Sequence, residues 1–110
     1  MAFNRATQIS RLEEDILKVL CQGTAEGPAR EFMREHLRNY RWHEPAHQII
    51  FQALLAIPSK SVEMICAELP AQLTRMGFPD LEWERLFEGK LLSKSEAEDL
   101  VRQIRETRDE

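Results

Sequence analysis

The chain has 110 residues, 43% of them hydrophobic and 31% charged, with a formal net charge of −4. A chain this short buries roughly 65% of the surface its unfolded form exposes, enough for one core but not for a core with a deep, elaborated cleft; this disfavours the large enzyme folds and suits an adaptor. The acidic balance disfavours a nucleic-acid binder, and the excess lies in the second half: residues 1 to 55 carry seven basic and seven acidic side chains, residues 56 to 110 eight and twelve.

Glycine and proline are sparse, and no stretch alternates apolar with polar for more than a few positions, so every periodic segment reads as helix. Ile9, Leu12, Ile16, Val19 and Leu20 recur at spacings of three and four, predicting a first helix that ends before Gly23, with Ser10 or Thr7 capping its start. Pro28 suits the opening of a second helix running to about Asn39, with Phe32, Met33, Leu37 and Tyr40 on a narrow apolar face. Pro45 opens a third helix whose face comprises Ala46, Ile49, Ile50, Ala53, Leu54 and Ile57. Phe51 and Leu55 widen that stripe, so this helix is expected at the centre, and Pro58 ends it.

From Ser61 the pattern Val62, Ile65, Cys66, Leu69, Leu73, Met76 contains Pro70, which predicts a break into two short helices, since an interior proline costs about 3 kcal/mol. After the turn Gly77 to Asp80, Asp80 is placed to cap a short helix carrying Leu81, Trp83, Leu86 and Phe87. Ser95-Glu-Ala-Glu98 has capping-box spacing and opens an amphipathic last helix with Ala97, Leu100, Val101 and Ile104 inward. Residues 1–6 and 106–110 are expected to fray. The expectation is an all-α, compact single-domain bundle of five to seven helices over residues 1–110, without repeats or low-complexity segments.

Cys21 and Cys66 lie in apolar stretches and read as reduced core thiols rather than a disulfide framework. There is no signal-peptide run at the N-terminus and no stretch of roughly 18 uncharged apolar residues, which points to a cytoplasmic protein with no membrane contact.

One string matches a catalytic signature. His43-Glu44-Pro45-Ala46-His47 fits HExxH, in which two histidines one helical turn apart hold zinc and the glutamate polarises its water. Pro45 disfavours helical geometry in the residue before it, which leaves His43 outside the helix and off the face of His47. A third ligand is missing from the usual positions, with only His36 upstream and Glu63 or Glu68 as substitutes. His47 is therefore expected as a partly buried structural residue hydrogen-bonded to backbone, and no metal, cofactor or catalytic residue is assigned. A small zinc metallopeptidase is the alternative reading. There is no phosphate-binding glycine loop.

Arg30, Arg34, Arg38 and Arg41 recur on the second helix and its extension. Either they form a solvated face neutralised by Glu26, Glu31 and Glu35, or they are a docking strip for an acidic partner. Nucleic acid, if bound at all, binds weakly at this stripe, as an accessory factor would. Trp83, Leu86 and Phe87 are a second candidate surface, with core burial the better expectation.

At Trp42-His-Glu-Pro-Ala-His-Gln-Ile-Ile-Phe-Gln-Ala-Leu54 the chain resembles the small all-helical domain at the N-terminus of bacterial replicative helicases, a fold that also closes bacterial primases, where it binds the helicase. Trp42, Pro45, Ala46, His47, Ile50, Phe51, Ala53 and Leu54 match that family's pattern, and the order of helices agrees over about 90 residues. The last helix, Glu96 to Arg105, looks more like the primase version. The chain departs from the family in its short segment after Leu54, in Pro70, and in having no motor domain within its 110 residues. The resemblance implies a non-catalytic protein–protein interaction module linked to DNA replication, with a helicase or primase as partner. It gives Trp42, Pro45, His47, Ile50, Phe51 and Leu54 structural roles, and explains Pro-Ala-His without zinc.

Overall fold

A computed structural model describes residues 5–58 and 61–109 as five α-helices and one 3-10 turn, with no strands among them. The helices are α1 (Arg5–Gln22), α2 (Arg30–His36), α3 (Pro45–Ala56), α4 (Val62–Arg75) and α5 (Lys94–Asp109), and the 3-10 turn is Glu84–Phe87. The fold is the expected all-α bundle, and its buried apolar side chains form one contiguous cluster. Its radius of gyration, 13.6 Å, is close to the ~13 Å of a folded chain of this length.

The centre is α1, not α3: α5, the 3-10 turn, α3, α4 and α2 all pack on it. Its apolar positions make this possible. Ile9, Leu12 and Ile16 with Leu17, Val19, Leu20 and Cys21 are buried, covering more of the helix circumference than a single stripe. The stripe of α3 buries Ile50, Phe51, Ala53 and Leu54 against α1 and α4, but Leu55 is 52% exposed and does not join it. Neither Thr7 nor Ser10 caps α1, because the helix already runs from Arg5 and Ser10 lies inside it.

The connections are fixed by specific hydrogen bonds. Gly23 ends α1 at φ +78, its N–H bonding to Val19 O at 2.7 Å, and a Cβ there would lie 2.9 Å from Gly27 O. The turn it begins is closed by Thr24 and Gly27, which exchange backbone hydrogen bonds. It is joined to the start of α5 through Ala25 N–H to Leu92 O (2.9 Å) and Lys94 N–H to Glu26 Oε2 (2.7 Å). The capping box of α5 is Ser93 with Glu96, two residues before the expected Ser95 with Glu98. Ser93 N–H reaches Glu96 Oε1 and Glu96 N–H reaches Ser93 Oγ, each at 3.1 Å. Both spacings occur in the sequence, and the earlier one coincides with the Glu26 and Leu92 contacts that hold the helix start in place.

Further boundaries differ from expectation. The second helix stops at His36 rather than Asn39, and Leu37 is buried in the turn that follows. Asp80 is exposed and caps nothing; Leu86 is buried on a 3-10 turn headed by Trp83, with Trp83 and Phe87 half-buried. Gln22 Nε2 holds this turn to α1 by donating to Leu86 O and Glu88 O, both at 2.8 Å. At the C-terminal end α5 is helical to Asp109, and Arg5 Nε donates to Thr107 O at 2.8 Å. Arg5 and Ala6, also expected to fray, are helical; residues 1–4 and 110 lie outside the described residues.

Pro70 does not break α4, which is continuous from Val62 to Arg75. Ile65, Leu69 and Leu73 are buried on both sides of the proline, and burying an aliphatic side chain is worth about 1.5–3 kcal/mol each, together more than the proline takes away. The helix then ends in a Schellman arrangement at Gly77, with Phe78 N–H on Leu73 O and Gly77 N–H on Thr74 O. Pro70→Ala should therefore raise unfolding stability by about 1–3 kcal/mol in urea melts, by restoring the N–H that Cys66 O lacks. Unchanged or lowered stability would show that the proline ring itself packs productively.

Candidate functional site

The HExxH string does not lie on one helix. His43 and Glu44 sit in a bend, Glu44 is the N-cap of α3 with extended backbone (φ −92, ψ 125), and Pro45 is the first helical residue. His43 is exposed and His47 half-buried, so the two imidazoles do not share a helical face. What organises the string is Glu13, from the middle of α1, whose side chain has no exposure to water.

Glu13 accepts four hydrogen bonds from the segment 40–47. Oε2 receives the Tyr40 hydroxyl and the His43 backbone N–H, both at 2.6 Å. Oε1 receives the Glu44 backbone N–H at 3.1 Å and His47 Nδ1 at 2.9 Å. An ionised carboxylate has no hydrogen to give, so Nδ1 is the protonated nitrogen of His47. Burial alone would raise the Glu13 carboxyl; the hydrogen bonds from His47, His43, Tyr40 and Glu44 overcome it and hold the group below the ordinary carboxylate range. Burial and the bond to Glu13 also push the Tyr40 hydroxyl well above its usual range, so it remains a donor. The partner of His47 is thus a carboxylate and not the expected backbone group. Glu44 is occupied as well, accepting from Ser10 Oγ of α1 at 2.7 Å.

The remaining motif residues pack around this knot. Trp42 lies 5.1 Å from Phe51 and edge-on to Tyr40 at 5.0 Å, centroid to centroid, and meets His47 at 6.4 Å. Ile50, Phe51 and Leu54 are buried, Trp42 is half-buried with its indole N–H unpartnered, and Pro45 is exposed at the helix start. The cysteines are free; Cys21 is buried, and burial followed by the neighbouring Cys66 pushes its thiol up to about 12. Cys66 is half-buried.

The arginine stripe divides. Arg30 is half-buried and donates to Ile57 O at 3.0 Å, pinning α2 to the end of α3, and does not belong to an exposed strip. Arg34, Arg38 and Arg41 remain on the surface and line a concavity of about 630 Å3, where α5 contributes Arg105 and Arg108. The sequence pattern does not place these two on this face, because they lie more than sixty residues away. Glu13 was also missed, although its spacing carried the signal. It falls four after Ile9 and three before Ile16, a charge on the apolar stripe, where a buried acid must have donors waiting. Among the described residues no group of three His, Cys, Asp or Glu side chains is disposed to hold a metal ion, and no helix is long and apolar enough to cross a membrane. No family model, curated protein or solved structure matches the chain.

Removing one member of a buried, charge-assisted cluster leaves the others unpaired. Glu13→Gln should lose about 3–5 kcal/mol of stability, and Glu13→Ala at least as much. Because the carboxyl is held low in the folded state, its contribution is complete above the ordinary range near 4.5 and is lost as pH falls through the depressed folded value. The wild-type stability curve should drop over that acid range while the Glu13→Gln curve stays flatter, as read by denaturant melts at stepped pH. Parallel curves would contradict the ionised state of Glu13.

Proposed function

We propose that the chain is a non-catalytic protein–protein interaction module of the helicase N-terminal or primase C-terminal type, acting in the cytoplasm with a replicative helicase or a primase as its partner. The reading rests on the resemblance over Trp42 to Leu54, and one structural observation supports it. Two side chains of the motif are engaged in holding helices together, His47 through Nδ1 to Glu13 and the Glu44 carboxylate through Ser10, and Glu13 takes the His43 and Glu44 amides as well. The string acts as a latch between α1 and α3, and what remains for function is surface.

A zinc peptidase would need His43 and His47 on one helix with Glu44 free towards the metal water. His43 instead stands exposed outside α3. The module reading therefore expects His43→Ala to leave stability within about 0.5 kcal/mol and partner binding unchanged. The decisive assay is biolayer interferometry against the recombinant replicative helicase and primase of the source organism, with zinc measured in the same preparation. Saturable binding to one of them, insensitive to His43→Ala, is expected. One equivalent of zinc that is lost in both His43→Ala and His47→Ala, with binding to neither protein, would overturn the proposal.

A further inference from the structure

Five of the chain's 15 Lys and Arg residues line the single concavity between residues 34–41 and the end of α5, and of its 19 Asp and Glu only Glu35 does so among the described residues. The Glu35 carboxylate lies 3.8 Å from His36 Nε2, and among the residues whose side chains are described none of the five guanidiniums forms an ion pair within 4 Å. On an acidic protein, opposite charges are plentiful, so an unpaired cationic cluster is not what composition alone would produce. Like charges gathered this closely repel one another, and an anion seated among them relieves that repulsion.

Two of the five are held in position. Arg105 donates to His36 O at 2.8 Å, and Arg108 donates to Arg41 O while its guanidinium carbon lies 5.1 Å from the centroid of the Tyr40 ring. Each contact uses a fraction of the five N–H donors of a guanidinium and fixes a side chain that would otherwise lose rotamer freedom on binding. Tyr40 is itself fixed by its bond to Glu13, so the cationic surface is braced from the buried knot. Arg34, Arg38 and Arg41 are exposed, and among the described residues their guanidiniums donate to no protein acceptor.

We propose that this concavity docks an acidic protein segment, with its Asp and Glu carboxylates received by Arg34, Arg38, Arg41, Arg105 and Arg108. The inference rests on the interaction-module reading and supplies the chemistry of the partner. Planar guanidinium forks donate to carboxylates two bonds at a time. A nucleic acid is the poorer fit for two reasons. Single-strand binding relies on aromatic faces for the bases, and the one tyrosine here has Arg108 over its ring. A phosphodiester chain also continues beyond the cluster, over a surface where acids outnumber bases.

The test is fluorescence anisotropy with a labelled short oligoglutamate peptide and, separately, a short labelled oligothymidylate, titrated with the whole chain at low salt. The peptide should bind saturably and weaken as salt is added. Arg34→Glu with Arg38→Glu, both on exposed side chains, should weaken it by roughly tenfold or more at an unchanged melting temperature. Lys90→Glu with Lys94→Glu, outside the concavity, should not. Absence of saturable peptide binding, equal binding by the Arg34/Arg38 variant, or tighter binding of oligothymidylate than of peptide would each overturn the proposal. The two readings fail separately. Helicase or primase binding that ignores the Arg34/Arg38 change sinks the docking site alone. Arginine-dependent peptide binding without binding to either protein sinks the replication assignment alone.

Discussion

A carboxylate with no contact with water must be answered by donors or it costs the fold several kcal/mol, and the structure is arranged around the answer given to Glu13. Its two oxygens gather a hydroxyl, two backbone amides and an imidazole from a segment of eight residues. Two of those donors, the His43 and Glu44 amides, lie at the mouth of α3, where helix geometry supplies no acceptor. An interior acid on α1 thus fixes the two amides just ahead of α3, whose own N-cap, Glu44, makes no side-chain capping bond. Ser10, one turn earlier, holds the Glu44 carboxylate, so the start of α3 is tied to α1 at two levels. With α1 in contact with every other element, the placement of this segment sets the remaining geometry.

The same constraint reaches the surface. Tyr40 is fixed below by Glu13 and covered above by Arg108, which also holds Arg41 by its carbonyl. At the arginine concavity Arg108 is therefore the outer layer of a polar stack that begins in the core, whereas Arg34, Arg38 and Arg41 stand exposed beside it. A HExxH string reads as chemistry when taken alone, and in this fold it is the structural middle of that stack. Its His43 and Glu44 amides and His47 Nδ1 face inwards to a carboxylate, and the cationic groups outside it come from other elements. Fold alone does not assign function, and what bears on function here is which polar groups the packing leaves free.

Much of this was legible in sequence. Periodicity of apolar residues located all five helices, and Pro45, Pro58 and Gly23 marked boundaries that the structure keeps within a residue or two. Errors arose where a local signal competed with packing. Pro70 predicts a break, but Ile65, Leu69 and Leu73 are buried on either side of it and keep α4 whole. Ser95 and Glu98 have capping-box spacing, but so do Ser93 and Glu96, and only contacts from Glu26 and Leu92 decide between them. The strong stripe of α3 suggests a central helix, whereas centrality goes to the helix buried round more of its circumference. The site was less legible than the fold. Glu13 stands among three consecutive acids, Glu13-Glu14-Asp15, and only its register on the apolar stripe separates it from half-buried Glu14 and exposed Asp15. Arg105 and Arg108 join Arg34, Arg38 and Arg41 through tertiary packing that no spacing rule encodes.

The central claim is that Glu13 holds the backbone of the motif segment, and native-state hydrogen exchange at the His43 and Glu44 amides tests it most directly. In a bend ahead of a helix these two protons would ordinarily exchange at loop rates. Bonded to a carboxylate sealed from water, they should exchange only through openings as costly as those that expose the core amides of α1. Protection matching that of the buried half of α1 is the predicted result. Exchange of either amide at the rate of an exposed loop would contradict the account.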